Sequence, residues 1–374
     1  MLENCIGIIN SSNLSRSFGS LSKHRPSYMM PFGGRYRIID FMLSNMVNHG
    51  IGTVAVYTGE KVRSAMDHIG NGKPWELNRR INGLHIFPPQ YSEDKYSKGD
   101  IWQYYLTEDF LENVNEENIY LVIQNTLGKV DLTEAYSKFI ETDADVTFIY
   151  KKQKNKDIYL KSENLILDAD YNFVNIGMNL GTEETFNLYT GTAFIKKSVF
   201  LKLIRESMET GEEIHLREAL LKNKHNYKMN SYEFKGHIED IKDTETYYRA
   251  NMNLLDKEIF QELFFKGGSI FTKSKDEPST LYTEDSSVQN SIVANGCVIE
   301  GMVQNSIIFR GVEIEKGALV KDSIVMQKSK IKKDSIVVNS ILDKYSLVGE
   351  GVDIVGTKSN PYLVGKNVKI RKEV

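Results

Sequence analysis

The chain has 374 residues, 41% of them apolar, and its 47 basic and 50 acidic side chains leave a formal charge of -3. That length exceeds what one hydrophobic core covers, so two domains are expected. The near-neutral, well-mixed charge gives no field suited to wrapping nucleic acid and leaves small phosphate-bearing molecules as the anionic ligands to consider. Cys5 and Cys297, each inside an apolar run, read as buried reduced thiols, and there is neither a basic-then-apolar leader nor an apolar window of about eighteen residues. A cytoplasmic chain without membrane contact is the expectation.

The first part of the chain alternates short apolar runs with helical patterns. Strands are expected at 5–9, 52–57, 84–87, 119–123 and 145–150, and helices at 38–48, 61–69, 101–114 and 132–142. Strands separated by helices of this length imply right-handed crossovers and a mostly parallel α/β sheet covered on both faces, with ligands at the carboxyl ends of the strands. Residues 244–260 read as helical, and 261–290, with Gly267, Gly268 and Pro278 among polar residues, read as a linker. The expected domains are therefore 1–260 and 291–374.

From about residue 280 the helical period gives way to a repeat that can be counted. Val293, Ile299, Ile308, Ile314, Val320, Val325, Ile331, Val337, Leu342, Val348 and Ile354 recur mainly at steps of six, with two steps of five and one of nine. Two positions before each stands a smaller side chain, from Ser291 and Cys297 through Ser323, Ser329, Ser335, Ser340 and Ser346 to Val352. One inward apolar residue and one small corner residue per hexad is the pattern of a parallel β-helix with three short strands per coil. All seven histidines precede the repeat, which argues against an acyltransferase with its catalytic histidine in the coils.

The segment PFGGRYRIIDFMLSN at 31–45, the segments at 70–79 and 231–255, and NSIIFRGVEIEKGALVKDSIVMQ at 305–327 occur in the order found in ADP-glucose pyrophosphorylases, and nearly the whole chain resembles that family. The resemblance implies a Rossmann-like nucleotidyltransferase domain followed by a left-handed parallel β-helix. It also implies a relation to the joining of ATP and glucose 1-phosphate into ADP-glucose and pyrophosphate.

Carried over position by position, the family's chemical motifs are incomplete. Its glycine-rich phosphate loop corresponds to 10–17, where Arg16 survives but Ser11, Ser12 and Leu14 stand at glycine positions, with a branched side chain where backbone N–H groups should approach the phosphates. The aspartate that supplies the catalytic magnesium corresponds to Asn125, and a second carboxylate to Asp240; a neutral amide does not replace the missing charge. The Glu-Lys pair for the sugar phosphate corresponds to Asn175 and Ile176, and of the following Ser-Met-Gly only Gly191 remains, after Tyr189 and Thr190. The substrate-loop Lys-Pro corresponds either to Arg25 and Pro26 or to Ser27 and Tyr28.

These losses make the chain most similar to the GlgD-type, regulatory subunits of the family. The resemblance then implies that no cofactor is required by this chain, magnesium belonging to an active sister subunit. The partner would be that catalytic subunit, in a heterotetramer. Arg16 and Asp240 are vestigial site residues on this reading, Gly191 is a remnant of the substrate site, and no metal site is assigned. Arg35, Arg37 and Arg310 are candidate ligands for a sugar-phosphate or phosphate effector. The alternatives are an active nucleotidyltransferase whose metal site is rebuilt from carboxylates such as Asp100 or Asp131, and a stand-alone sugar-phosphate sensor.

Overall fold

The computed structural model describes residues 1–10, 18–90, 99–123 and 125–372. The chain divides into two compact units. The first is Met1–Asn13, Phe41–Asp240 and Gly267–Phe271; the second is Leu14–Asp40, Ile241–Lys266 and Thr272–Val374.

The first unit is built on a nine-stranded mixed sheet. Its strands β1 (Cys5–Ile9), β2 (Thr53–Tyr57), β3 (Gly83–Phe87) and β4 (Asn118–Val122) form a parallel run in the order β3-β2-β1-β4. Strands β1, β2 and β4 are buried along their whole length, as strands covered on both faces must be, which is why they read as unbroken apolar runs. Gly7 has a packing role in β1: a Cβ there would lie 2.6 Å from Met46 Sδ. After β4 come a short strand β5 (Thr126–Gly128), β6 (Val146–Lys154), β7 (Glu163–Leu167), β8 (Phe173–Met178), β9 (Thr185–Lys196), β10 (Met229–Glu233) and β11 (Ile238–Asp240). Strand β9 runs antiparallel to β4, β6 and β7, while β5 and β11 form a separate antiparallel ribbon.

The helix expected over 101–114 is two helices, Asp100–Tyr105 and Glu108–Asn113. Thr107 stands at the break. Its hydroxyl bonds the carbonyls of Gln103 and Tyr104 and lies 2.6 Å from the hydroxyl of Tyr57, the side-chain-to-backbone competition that interrupts helices. The helical pattern over 244–260 likewise resolves into Thr244–Asn253, started by an Asp243 capping box, and Lys257–Phe265, capped by Asp256.

The second unit holds three parallel sheets stacked as a β-helix of hexapeptide type. One sheet climbs in register from Val298 to Glu313, Lys330, Leu347 and Lys369. The inward column contains the apolar hexad residues from Ile299 to Ile354. The nine-residue step conceals Val303, which is also buried in the core. The coil begins earlier than the repeat suggests, because Leu281–Tyr282 and Ser287–Gln289 already pair with the next turn. Their side chains are mostly exposed, so they lack the apolar signal.

The small corner residues do more than fit a tight turn. Ser306, Ser323 and Ser340 form a ladder in which each backbone N–H donates to the serine hydroxyl one coil earlier, at 3.0 to 3.1 Å, and each hydroxyl donates to a carbonyl two residues back. The same unit buries one ion pair, Arg25 with Asp343, bonded at 2.8 and 3.0 Å.

Cys5 and Cys297 are free and buried. Among the described residues no helix is long and apolar enough to cross a membrane.

The ladder gives a direct test. Ser323→Ala removes the acceptor of the Ser340 N–H and should lower stability by about 1–3 kcal/mol in urea unfolding; a loss within error of zero would mean that corner size alone matters.

Candidate functional site

The carboxyl ends of β1 and β4 adjoin. Beyond β1, the N–H of Asn10 donates to Val122 O at 2.9 Å and its side-chain amide to the Tyr104 hydroxyl at 3.0 Å. Arg16, with Ser11, Ser12 and Leu14, lies outside the described residues.

Beyond β4 the chain turns into the ribbon of β5 and β11, whose register sets Asp240 opposite Thr126. Asn125, one residue earlier, is 1% exposed, and neither its amide oxygen nor its amide nitrogen has a hydrogen-bond partner among the described residues. Asp240 is 8% exposed and accepts a hydrogen bond from the Ser162 hydroxyl at 2.8 Å. Gly191 closes the group: at φ +69° it lies where β9 bulges away from β6, and its carbonyl accepts the Ile123 N–H at 2.9 Å. Three of the positions singled out in the sequence are thus gathered at the end of β4.

This donor set does not fit a catalytic magnesium. That ion takes hard oxygen ligands and is held on proteins by one or two carboxylates together with substrate phosphates. Here one of the two expected carboxylates is a neutral amide, and Asp240 already serves Ser162. Among the described residues no group of three or more His, Cys, Asp or Glu side chains converges. Asp100 and Asp131 do not supply the missing charge, since both are committed to helix starts. Asp100 accepts the Leu216 N–H at 2.8 Å and lies 3.6 Å from His215, whose pKa its hydrogen bond raises. Asp131 caps the helix Leu132–Glu141.

Asn175 and Ile176, expected at the sugar-phosphate position, carry no charge. Asn175 is exposed and its side chain accepts its own neighbour's N–H, from Ile176, at 2.9 Å. Ile176 is buried in the apolar core with Leu121, Phe148 and Tyr189, and these residues line a cavity together with Ile123 and Leu216. A lysine in place of Ile176 would have to bury its ammonium there. The guanidinium of Arg217 reaches the Ile176 carbonyl at 3.3 Å but is ion-paired with Glu163.

Arg25 is held by Asp343, and Ser27 and Tyr28 are buried in the 3-10 turn Ser27–Met29. Neither candidate for the substrate-loop pair is therefore a free cation facing solvent.

The second unit brings the effector candidates together. Arg310 is 6% exposed, and its guanidinium donates to the Arg35 carbonyl at 3.3 Å. Burial and the nearby Arg35 both disfavour its charge. Two further cations join that were not foreseen. Lys275 is pushed down by burial and by Arg310 and Arg37. Lys344 is pushed down to about 6, by burial first and then by Arg37 and Arg25. Only the stacking of the coil reveals Lys344, which occupies a turn in LDKYSLVG with no motif around it. Arg25, Arg35, Arg37, Lys275, Arg310 and Lys344 are thus linked by mutual influence, with Asp40 and Glu277 as acidic neighbours of Arg310.

Residues 18–159 match the family model described as nucleotidyl transferase, and residues 278–371 match the GlmU-like, C-terminal hexapeptide model. Fold and site together define a nucleotidyl transferase fold joined to a hexapeptide β-helix. The chain is 35% identical to the glycogen biosynthesis protein GlgD of Bacillus subtilis, over 97% of this chain and 96% of that protein. It is 33% identical to GlgD of Geobacillus stearothermophilus, over 98% and 97% of the two chains. It is 29% identical to a glucose-1-phosphate adenylyltransferase of Clostridium botulinum, over 85% and 83%. The chain belongs to the family that comprises GlgD and the glucose-1-phosphate adenylyltransferases.

Asn125→Asp puts a carboxyl where an amide is buried, and burial raises its pKa above the unfolded value. A raised carboxyl pKa costs nothing below about pH 4 and progressively more as pH rises towards the folded-state value. Thermal melts should show the variant matching the native chain at pH 4 and less stable by about 1–3 kcal/mol at pH 8. Magnesium should recover part of that loss, because the variant regains the carboxylate pair with Asp240. Equal stability at both pH values without metal would mean that position 125 is solvated.

Proposed function

We propose that this chain is a catalytically impaired, regulatory subunit of a glucose-1-phosphate adenylyltransferase in glycogen biosynthesis. It modulates an active sister subunit that makes ADP-glucose and pyrophosphate from ATP and glucose 1-phosphate. The observation that carries the reading is Asn125, a buried amide at the position of the catalytic carboxylate, with no charge to offer a cation. Ile176 in the core adds a second loss, since no ammonium remains for the sugar phosphate. Removing one preorganised electrostatic contact typically costs 10²–10³ in rate, about 3–4 kcal/mol of barrier. Two such losses leave a rate lower by roughly four orders of magnitude or more.

The expected assembly is a cytoplasmic heterotetramer with the catalytic subunit, in which magnesium acts on the sister chain alone. The names of the GlgD relatives support the pathway. The cluster of Arg35, Arg37 and Arg310, extended by Lys275 and Lys344, supports an effector site for a sugar phosphate or inorganic phosphate.

The test is ADP-glucose formation from ATP and glucose 1-phosphate, measured for this chain alone, for an adenylyltransferase partner alone and for the two co-expressed. The reading expects no turnover alone, co-purification, and altered KM, kcat or effector response of the pair. Turnover by the isolated chain at a rate comparable to the partner's would replace this reading with an active nucleotidyltransferase. Failure to associate with any active partner would favour the stand-alone sensor.

A further inference from the structure

We infer that the first unit carries a built internal hydration site at the end of β4, in which ordered water joins Asn45 on the helix Ile38–Asn48 to Thr126 on the ribbon of β5 and β11. The inference is independent of the regulatory reading.

A cavity supplies the place. It measures about 30 Å³ as the space open to the centres of water molecules, and all of its lining belongs to the first unit. Its walls are one face of the helix, with Met42 and Asn45, the end of β4, with Val122, the ribbon, with Thr126, and β9, with Thr190 and Thr192.

Two polar atoms in those walls need partners. Asn45 is 5% exposed, and its amide oxygen is buried with no hydrogen-bond partner among the described residues. The buried hydroxyl of Thr126 likewise has none. The other side-chain hydroxyls of the wall are provided for within the protein: Thr190 donates to the Ile149 carbonyl at 2.7 Å and lies 2.6 Å from the hydroxyl of Thr192. The need is therefore concentrated at one atom of the helix and one of the ribbon. Buried polar groups left over by the protein are those that ordered water satisfies.

Size and chemistry select the occupant. One water requires roughly 10–15 Å³ of such space, so the cavity holds about two. An amide oxygen only accepts, so its partner must donate, whereas a threonine hydroxyl does both. Water meets both demands. A cation would serve the same oxygens, but every side chain lining the cavity is uncharged, and an ion buried there would have no counter-charge. The bound water ties the helix to the ribbon, whose register sets Thr126 opposite Asp240. It therefore acts as a structural ligand that positions the ribbon, with no bond formed or broken.

The test uses the full native chain and one conservative variant. High-resolution crystals grown with rubidium chloride should show a water about 2.7–3.2 Å from Asn45 Oδ1 and a water at a similar distance from Thr126 Oγ1, with no anomalous peak in the cavity. Thr126→Val keeps the shape and the branched Cβ suited to a strand while removing the hydroxyl. If that hydroxyl is bonded to water, the melting temperature should fall by about 2–4 °C. An unchanged or raised melting temperature would overturn the inference, because deleting a hydroxyl that has no partner relieves its desolvation. Crystals in which both atoms are bonded to protein groups would overturn it too, and a rubidium peak within the cavity would replace water with a monovalent cation. The native crystals decide the matter even if the variant does not fold.

Discussion

Charge can be buried in a protein only where it is balanced, because the desolvation of an ion is repaid by a partner or not at all. Three positions in this chain answer that requirement in different ways. Arg25 and Asp343 balance each other with two hydrogen bonds and are nearly inaccessible to solvent. At Asn125 and Ile176 an amide and an alkyl chain, neither of them charged, are buried. Around Lys344, burial and then Arg37 and Arg25 push the ammonium's pKa down to about 6. The first arrangement holds a unit together, and the second leaves no charge at two positions at or near the end of β4.

The expected site positions lie within an ordered architecture. The strands still converge at the end of β4, Asp240 still faces Thr126 across the ribbon, and Gly191 still bends β9 there. The strands and the ribbon bring the expected site positions together, and the side chains at Asn125 and Ile176 carry no charge.

Much of this was legible in the sequence, for identifiable reasons. The β-helix announces itself because each hexad commits one side chain to a dry interior, and the buried column follows that count apart from Val303, hidden in a longer step. The first turn, at Leu281 and Ser287, has the composition of a linker because its outward residues are exposed and its hydrogen bonds leave no mark on composition. The split at Thr107 depends on a hydroxyl choosing backbone carbonyls over solvent, which periodicity does not record. Asn125, Asp240 and Gly191 could be singled out by motif order alone; Asn125 follows β4, while Gly191 lies within β9 and Asp240 ends β11. Lys275 and Lys344 could not, because their importance lies in the approach of charges from segments far apart in sequence.

The central claim, that the end of β4 does not hold a catalytic cation, is tested most directly by crystals of the native chain grown with ATP and manganese, with the metal located by its anomalous scattering. The account predicts no manganese at Asn125 and Asp240. A fully occupied manganese there, ligated by Asp240 and bridging to a bound triphosphate, would contradict it and restore the chain to the active enzymes of its family.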